Sequence, residues 1–452
     1  MQSAVSVFNK QEVWTAQTDL GIKMKKIFVS VGLAAAGAAA LPSAIAQTVE
    51  AAAPAKMWAI SSTLRGFYDD NYNYSNHKEC SLGFEASPRL EASLDLQQTV
   101  IGIRYTYGMY YYAQRANDGQ NPIDHTHQAD FWLDHAFNSR VKANLTDSFV
   151  VAQDPKLVNG GAITRVGGNN VANHAKATIT TDWTRKFSTE TYYKNDLFIY
   201  SDSSSSANKP PNQGTDPSDA TLLNRIEQTV GNDFQWHFQP ETMGFIGYAY
   251  SWARYTGNQQ ITPPFAGTKI YSDARNYNAH YIYVGASHEF TPSLNASGRV
   301  GATYVDSYNN PVQTSTSWAP YADISATYTY IPGSYLQVGF REDINSTDVV
   351  APSSNGQLTQ YQESSVVYAD LNHRITSKLT GSLIGQYQFS KYQDGGYSGQ
   401  GDDTVSVGVN LNYQINQHFA AEAGYNFDEL FSNVSGRGYN RNRVYLGVGA
   451  KY

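Results

Sequence analysis

The side chains in this sequence that could do chemistry are few, and most lack the partners their chemistry needs. His125 and His127 form an H-x-H pair in a stretch read as loop, but no cysteine or further histidine stands at a ligand spacing from them. Asp402-Asp403 follow the glycine-rich run Gly395-Gly396-Tyr397-Ser398-Gly399 and could offer oxygens to calcium, yet the repeated ligand positions of a calcium loop are missing. Neither G-x-S-x-G nor H-E-x-x-H occurs, so neither a nucleophile elbow nor a zincin helix is written here. The one cysteine, Cys80, excludes an internal disulfide and a thiolate metal site. The reading is therefore not an enzyme, with no cofactor and no metal. What remains is charge: Arg104, Asp130, Arg299, Asp323, Arg341, Asp370, Glu422 and Arg443, both signs in similar number. Such a set can pair into salt bridges that stiffen a wall, or lay a transverse field across a polar solute in a constriction.

What those eight share is their place in alternating segments. Val405, Val407, Val409, Leu411 and Tyr413 oppose Ser406, Gly408, Asn410 and Asn412. Phe419, Ala421, Ala423, Tyr425 and Phe427 oppose Glu422, Asn426 and Asp428, while Leu336, Val338 and Phe340 oppose Gln337 and Arg341. A repeat of two is a strand with one apolar face. Lipid would penalise arginine or lysine at its midplane by roughly 2–4 kcal/mol, so if the apolar parity meets lipid the charged parity meets a lumen. The last ten residues repeat the pattern, with Val444, Leu446, Val448, Ala450 and Tyr452 on one face. Ending on an apolar-face aromatic resembles the closing strand that outer-membrane assembly machinery reads, so Val444, Leu446, Val448 and Tyr452 are the expected assembly signal.

In chain order the segments alternate between tight turns and long polar connections. The expected fold is all-β: a transmembrane antiparallel up-and-down β-barrel of about eighteen strands, with short periplasmic turns and long extracellular loops. Pro88 predicts a kink or bulge in the second segment. Barrels of this size leave an aqueous channel unless something fills them, and the loops at 154–173 and 201–220 are the expected infolding segments.

Bulk properties agree. The net charge of −7 over 452 residues gives no footing for nucleic acid. Mean hydropathy is −0.46, too polar for a helical membrane protein but suited to a barrel whose every second strand residue meets lipid. Tyrosine outnumbers phenylalanine, 34 against 19, as interfacial girdles require. Near the start, Lys25-Lys26, an apolar run from Ile27 to about Ala40, and Ala44-Ile45-Ala46 before Gln47 have the plan of a secretory signal peptide. The expected organisation is a signal region over 1–46 with its true start at Met24, a periplasmic tether over 47–57 and a barrel over 58–452.

One stretch also resembles a known family. Ser87-Pro88-Arg89-Leu90, Arg104-Tyr105-Thr106-Tyr107, Asp118, Asp124 to His127, Phe137-Asn138-Ser139-Arg140 and Asp147-Ser148-Phe149 leading to Asp154-Pro155 resemble the N-terminal part of the putative beta-barrel porin 2 family. The resemblance implies an outer-membrane barrel of Gram-negative bacteria. Some family members are associated with surface-polysaccharide export, which would imply periplasmic export partners. The expected function is a porin-like channel for small polar solutes, with an export conduit or a closed structural or adhesive barrel as alternatives. Expected partners are outer-membrane lipid, lipopolysaccharide and the barrel-assembly machinery.

Overall fold

A computed structural model describes residues 57–152, 170–201, 218–257 and 259–452; the expected signal region and nearly all of the tether lie outside the described residues. The strands are β1 (Trp58–Asp69), β2 (Ser81–Asp95), β3 (Thr99–Tyr112), β4 (Ile123–Ala136), β5 (Val141–Ala152), β6 (Asn170–Asp182), β7 (Phe187–Ile199), β8 (Arg225–Gln239) and β9 (Thr242–Tyr255). A small hairpin, β10 (Gln260–Phe265) and β11 (Thr268–Tyr271), interrupts the series. It resumes with β12 (Tyr277–Thr291), β13 (Leu294–Ser307), β14 (Ser315–Ile331), β15 (Ser334–Asn345), β16 (Tyr361–Arg374), β17 (Leu379–Gln393), β18 (Gly401–Gln414), β19 (Phe419–Ser432) and β20 (Tyr439–Lys451). All but β10 and β11 form one 18-stranded antiparallel sheet in which each strand pairs with its chain neighbours.

The ring closes where β1 meets β20, from Ser61 opposite Lys451 to Asp69 opposite Arg443. The terminal residue takes part: Tyr452 N donates to Ile60 O at 2.8 Å, and Ile60 N donates back at 3.2 Å. Closure leaves no backbone edge facing lipid, the condition for a sheet in a bilayer. Val444, Leu446, Val448 and Tyr452 all point outward and are exposed. At one end the connections are two to four residues long, as at Pro240-Glu241 and Pro332... Gly333 between their strands; at the other they are longer.

Four local readings need correction. His125 and His127 lie in β4 and not in a loop. Their rings are held on the outer face by the cross-strand tyrosines, Tyr107 Oη to His125 Nδ1 at 2.6 Å and Tyr105 Oη to His127 Nδ1 at 2.8 Å. Pro88 causes no bulge: β2 keeps its register with β1 through Ser62, and the ladder to β3 only skips the bonds proline cannot make. Thr221 to Leu223, which by sequence read as the start of a strand segment running to Phe238, are helical, in a short helix α1 (Asp219–Leu223) whose N-cap Ser218 accepts from Thr221 N. Asn170 to Asn173, read as loop, begin β6; the rest of 154–173 and most of 201–220 lie outside the described residues.

Candidate functional site

Strand parity divides the barrel into an outer face, where residues such as Ile246, Val300, Leu446 and Trp318 are exposed, and an inner face. All eight charged candidates have the inner parity, but they do not converge on one place. Arg104 pairs with Asp130 across β3 and β4 at 2.9 Å, and Gln128 and Ser148 also donate to Asp130. Arg341 lies 3.8 Å from Asp323, and Arg299 lies 3.9 Å from Asp233. Asp370 accepts from Tyr335 Oη at 3.0 Å.

Glu422 and Arg443 belong to a third group at the closing seam. Arg65 of β1 donates to Glu422 of β19 at 2.6 and 3.1 Å and to Glu85 of β2 at 3.2 Å. Arg443 sits 3.6 Å from Glu85 and over the Phe67 ring. Beside them Arg441 pairs with Asp69. One arginine on β1 thus ties strands on both sides of the junction between chain ends.

Burial along the inner wall is uneven. On β13 and β16–β18 the inward Thr303, Val305, Ser364, Gln388, Ser390 and Thr404 are almost fully buried, although water should wet them in an empty barrel. Side chains of the wall cover some of them: Val305 packs with Tyr277, Ala279, Ala319, Ile344 and Tyr361, and Ser390 bonds Ser364 at 3.0 Å and Gln388 at 2.8 Å. The segment 346–360 supplies Val350 and Leu358 to an apolar cluster with Leu222 and Leu223 of α1, Ile261 of β10 and Ile270 of β11. Its other side carries Val349 against Tyr392 and Val434, and Asp348 takes Arg437 at 2.8 and 3.0 Å. Its base, Ser346, donates to Glu227 of β8 at 3.2 Å and accepts from Tyr255 of β9 at 2.9 Å. These contacts span β12, β13 and β14, so the segment crosses the mouth as a chord.

Arg275, fully buried in the turn before β12, fixes that chord. Its guanidinium donates to the carbonyls of Leu222 and Thr347 at 2.7 Å each and of Gln360 at 3.2 Å. Burial pushes its pKa below the ordinary arginine value, a cost that the carbonyl dipoles offset in part. The infolded segment among the described residues is therefore 346–360.

Along β3–β6 the inward Arg104, Gln128, Asp130, Asn144, Ser148 and Lys176 keep part of their surface accessible and Lys194 of β7 is exposed, whereas Tyr112, Thr178, Ser188, Tyr192 and Phe198 of the same sector are buried. Lys176 and Lys194 stand directly opposite each other in the β6–β7 ladder. Like charges in that relation repel, by up to about 1 kcal/mol. Both ammonium groups hang near one ring, 5.5 and 5.6 Å from the Tyr192 centroid, and neither makes an ion pair among the described residues. Tyr192 lies flat because its cross-strand partner is Gly231, where any Cβ would collide with the ring. The same glycine-under-aromatic device recurs at Gly102 with Trp132, Gly247 with Tyr283, Gly339 with Tyr368 and Gly424 with Tyr445. Parity alone marks Lys176, Lys194 and Arg65 as inward. Nothing in the sequence marks Arg275, since alternation does not extend into loops.

Among the described residues no group of three or more histidine, cysteine or acidic side chains could hold a metal ion. Solved structures similar to the chain include a BenF-like porin from Pseudomonas fluorescens Pf-5, with 11% identity over 88% of this chain and 99% of that one and a TM-score of 0.44. The outer membrane protein opdK from Pseudomonas aeruginosa is 9% identical over 87% and 99%, with a TM-score of 0.42. Acinetobacter baumannii OccAB4 is 11% identical over 90% and 100%, with a TM-score of 0.40. Among proteins with curated descriptions none matches. A family model described as putative beta-barrel porin 2 matches residues 59–452, the whole ring of strands included, and the chain belongs to that family.

Proposed function

We propose that the protein is a passive outer-membrane channel for small polar solutes whose path runs off-centre, along β3–β7, with a step that favours anions at Lys176 and Lys194. The observation that carries this reading is the contrast in burial along the inner wall. Inward Thr303, Val305, Ser364, Gln388, Ser390 and Thr404 on β13 and β16–β18 are almost fully buried, while Arg104, Gln128, Asp130, Asn144, Ser148 and Lys176 on β3–β6 keep part of their surface accessible. Along this stretch the acids Asp130, Asp134 and Asp196 are occupied by Arg104, Asn144 and His174, and the two lysines make no close ion pair among the described residues, with Glu190 as a further inward acid of the same strand as Lys194. A pair of like charges held side by side without a close ion pair raises the local concentration of the opposite ion.

Planar-bilayer recordings test this. Wild-type protein is expected to give stable ohmic steps with a reversal potential on the anion side in a salt gradient. The double variant Lys176→Glu/Lys194→Glu is expected to move that potential to the cation side with the barrel still folded. An unchanged reversal potential would remove the lysines from the path. A second reading, a closed barrel, is favoured by the apolar cluster over the mouth; insertion without any conductance would support it and overturn the channel.

A further inference from the structure

Between β14 and β15 the ladder of the wall is unfinished. It runs from the turn up to Ala322 opposite Glu342 and stops there. Beyond that rung β14 continues along β13 to Ser315, and β15 continues along β16 to Asn345. Thr329 N donates to Ser293 O at 2.7 Å, which turns the odd-numbered amides of β14 toward β13 and the even-numbered ones toward β15. The next even residue past the last rung is Pro320, which has no N–H to give. Its partner by register would be Ile344, and the amide of Ile344 donates instead to Asp343 Oδ1 at 2.8 Å. The missing rung is closed off on one strand by proline and on the other by a side chain.

Above the break the two parts of the wall lie in different layers. Ile344 shares its parity with the exposed Leu336 and Val338, and Tyr361 shares its parity with the exposed Val367, so both belong by pattern to the lipid face. Both are nearly inaccessible and pack against Ala253, Tyr277, Ala279, Val305 and Ala319, whose parity is inward. Ser317, inward on β14, shares a hydrogen bond with the Tyr361 hydroxyl at 2.6 Å. The upper end of β15–β16 is therefore tucked inside β14, and Ser346, just past it, reaches Glu227 of β8 and Tyr255 of β9. The same residues fit a second place. With the ladder continued in register, Ile344 would stand opposite Pro320, and Ser346 opposite Trp318, whose amide faces no paired strand among the described residues. Ile344 and Tyr361 would then return to the lipid face. We propose that the upper end of β15–β16, with 346–360, is a hinged gate that moves between these two places about the rung Ala322–Glu342. Tucked in, apolar packing and the Asp343 cap stand in for ladder bonds; in line, the ladder bonds return and the packing is lost. An element with two alternative sets of partners is what a two-state switch requires. That the gate governs conductance rests on the channel reading, whereas its movement does not.

The test uses the full-length protein in native outer membranes with Cys80→Ser as background, two cysteine pairs and a short bis-maleimide. Ala319→Cys/Ile344→Cys reports the tucked place, where both side chains share one cluster. Trp318→Cys/Ser346→Cys reports the in-line place, because in the tucked one Trp318 faces outward and Ser346 lies against β8 and β9. Both pairs are expected to give an internally cross-linked chain with altered mobility on denaturing gels. Pro320→Ala, which restores the missing donor, is expected to raise the yield of the second pair several-fold. Product from the first pair with none from the second, with or without Pro320→Ala, would show a fixed hairpin and overturn the inference. So would no product from the first pair in barrels that keep the heat-modifiable mobility of the folded state. In planar bilayers the first cross-link is expected to hold the conductance at its lowest level and the second at its highest. Equal conductance under both cross-links would overturn the gate. Both cross-links forming while no variant conducts would overturn the channel reading and support the moving hairpin.

Discussion

Replacing Arg65 with alanine is expected to lower the temperature at which the barrel loses its folded gel mobility more than any other single change on the inner wall. Arg65 is the common partner of Glu422 and Glu85, both nearly inaccessible, at the one junction that no turn connects. Its removal leaves Glu422 without a paired cation among the described residues, while Glu85 keeps Ser87, Tyr110 and the more distant Arg443. Breaking a buried pair by deleting one partner costs about 3–5 kcal/mol, because the remaining charge stays desolvated. Arg65→Lys is expected to recover part of the loss, since one ammonium cannot reproduce the two-pronged contact with Glu422. The double change Arg65→Met/Glu422→Met is expected to cost less than Arg65→Ala, as the orphaned charge is gone. Unfolding temperatures of the three variants, read on gels and by loss of β-sheet circular dichroism, check this. A shift for Arg65→Ala no larger than that of an exposed lumen substitution would contradict it.

The second large effect is expected at Arg275, and it leaves the barrel alone. Arg275→Met strands three buried carbonyls, each costing about 1–3 kcal/mol. That sum falls on the loop cluster and not on the sheet, whose ladders do not involve Arg275. The segment 346–360 is therefore expected to come away from α1 and the β10–β11 hairpin. Two readings follow: cleavage within 346–360 by protease added outside intact cells, and a larger, noisier single-channel conductance. Arg437→Met frees the opposite anchor at Asp348 and is expected to act in the same direction. Unchanged protease resistance and conductance in Arg275→Met would show that the loop is held by its apolar contacts alone.

The strands were legible because two solvents impose two faces. Each segment with lipid on one side and a polar interior on the other must alternate, and that constraint runs through the sequence from Trp58 to Tyr452. Where a strand shows polar residues outward the signal weakens. At β4 the histidines read as loop because their tyrosine partners, eighteen or more residues earlier, are invisible to local periodicity. The end of β7–β8 failed differently, since Leu222 and Leu223 look like strand residues but serve a loop core. The site was less legible than the fold. Parity assigned Arg104 and Glu422 their face, yet the closure that sets Arg65 against Glu422 joins residues 357 positions apart. No local pattern encodes that pairing. The chord across the mouth escaped for a related reason: 346–360 has no alternation, and its anchor Arg275 lies 53 residues from Leu222 and 85 from Gln360.

The most direct test of an off-centre path is chemical access from the lumen. In a Cys80→Ser background, cysteine is placed either at Ser148, partly accessible on β5, or at Ser364, buried on β16, and a charged methanethiosulfonate is added during bilayer recording. The expected result is a stepwise fall in conductance for Ser148→Cys and no change for Ser364→Cys. Block through Ser364→Cys with Ser148→Cys silent would place the water on the other side of the barrel and contradict the proposed path.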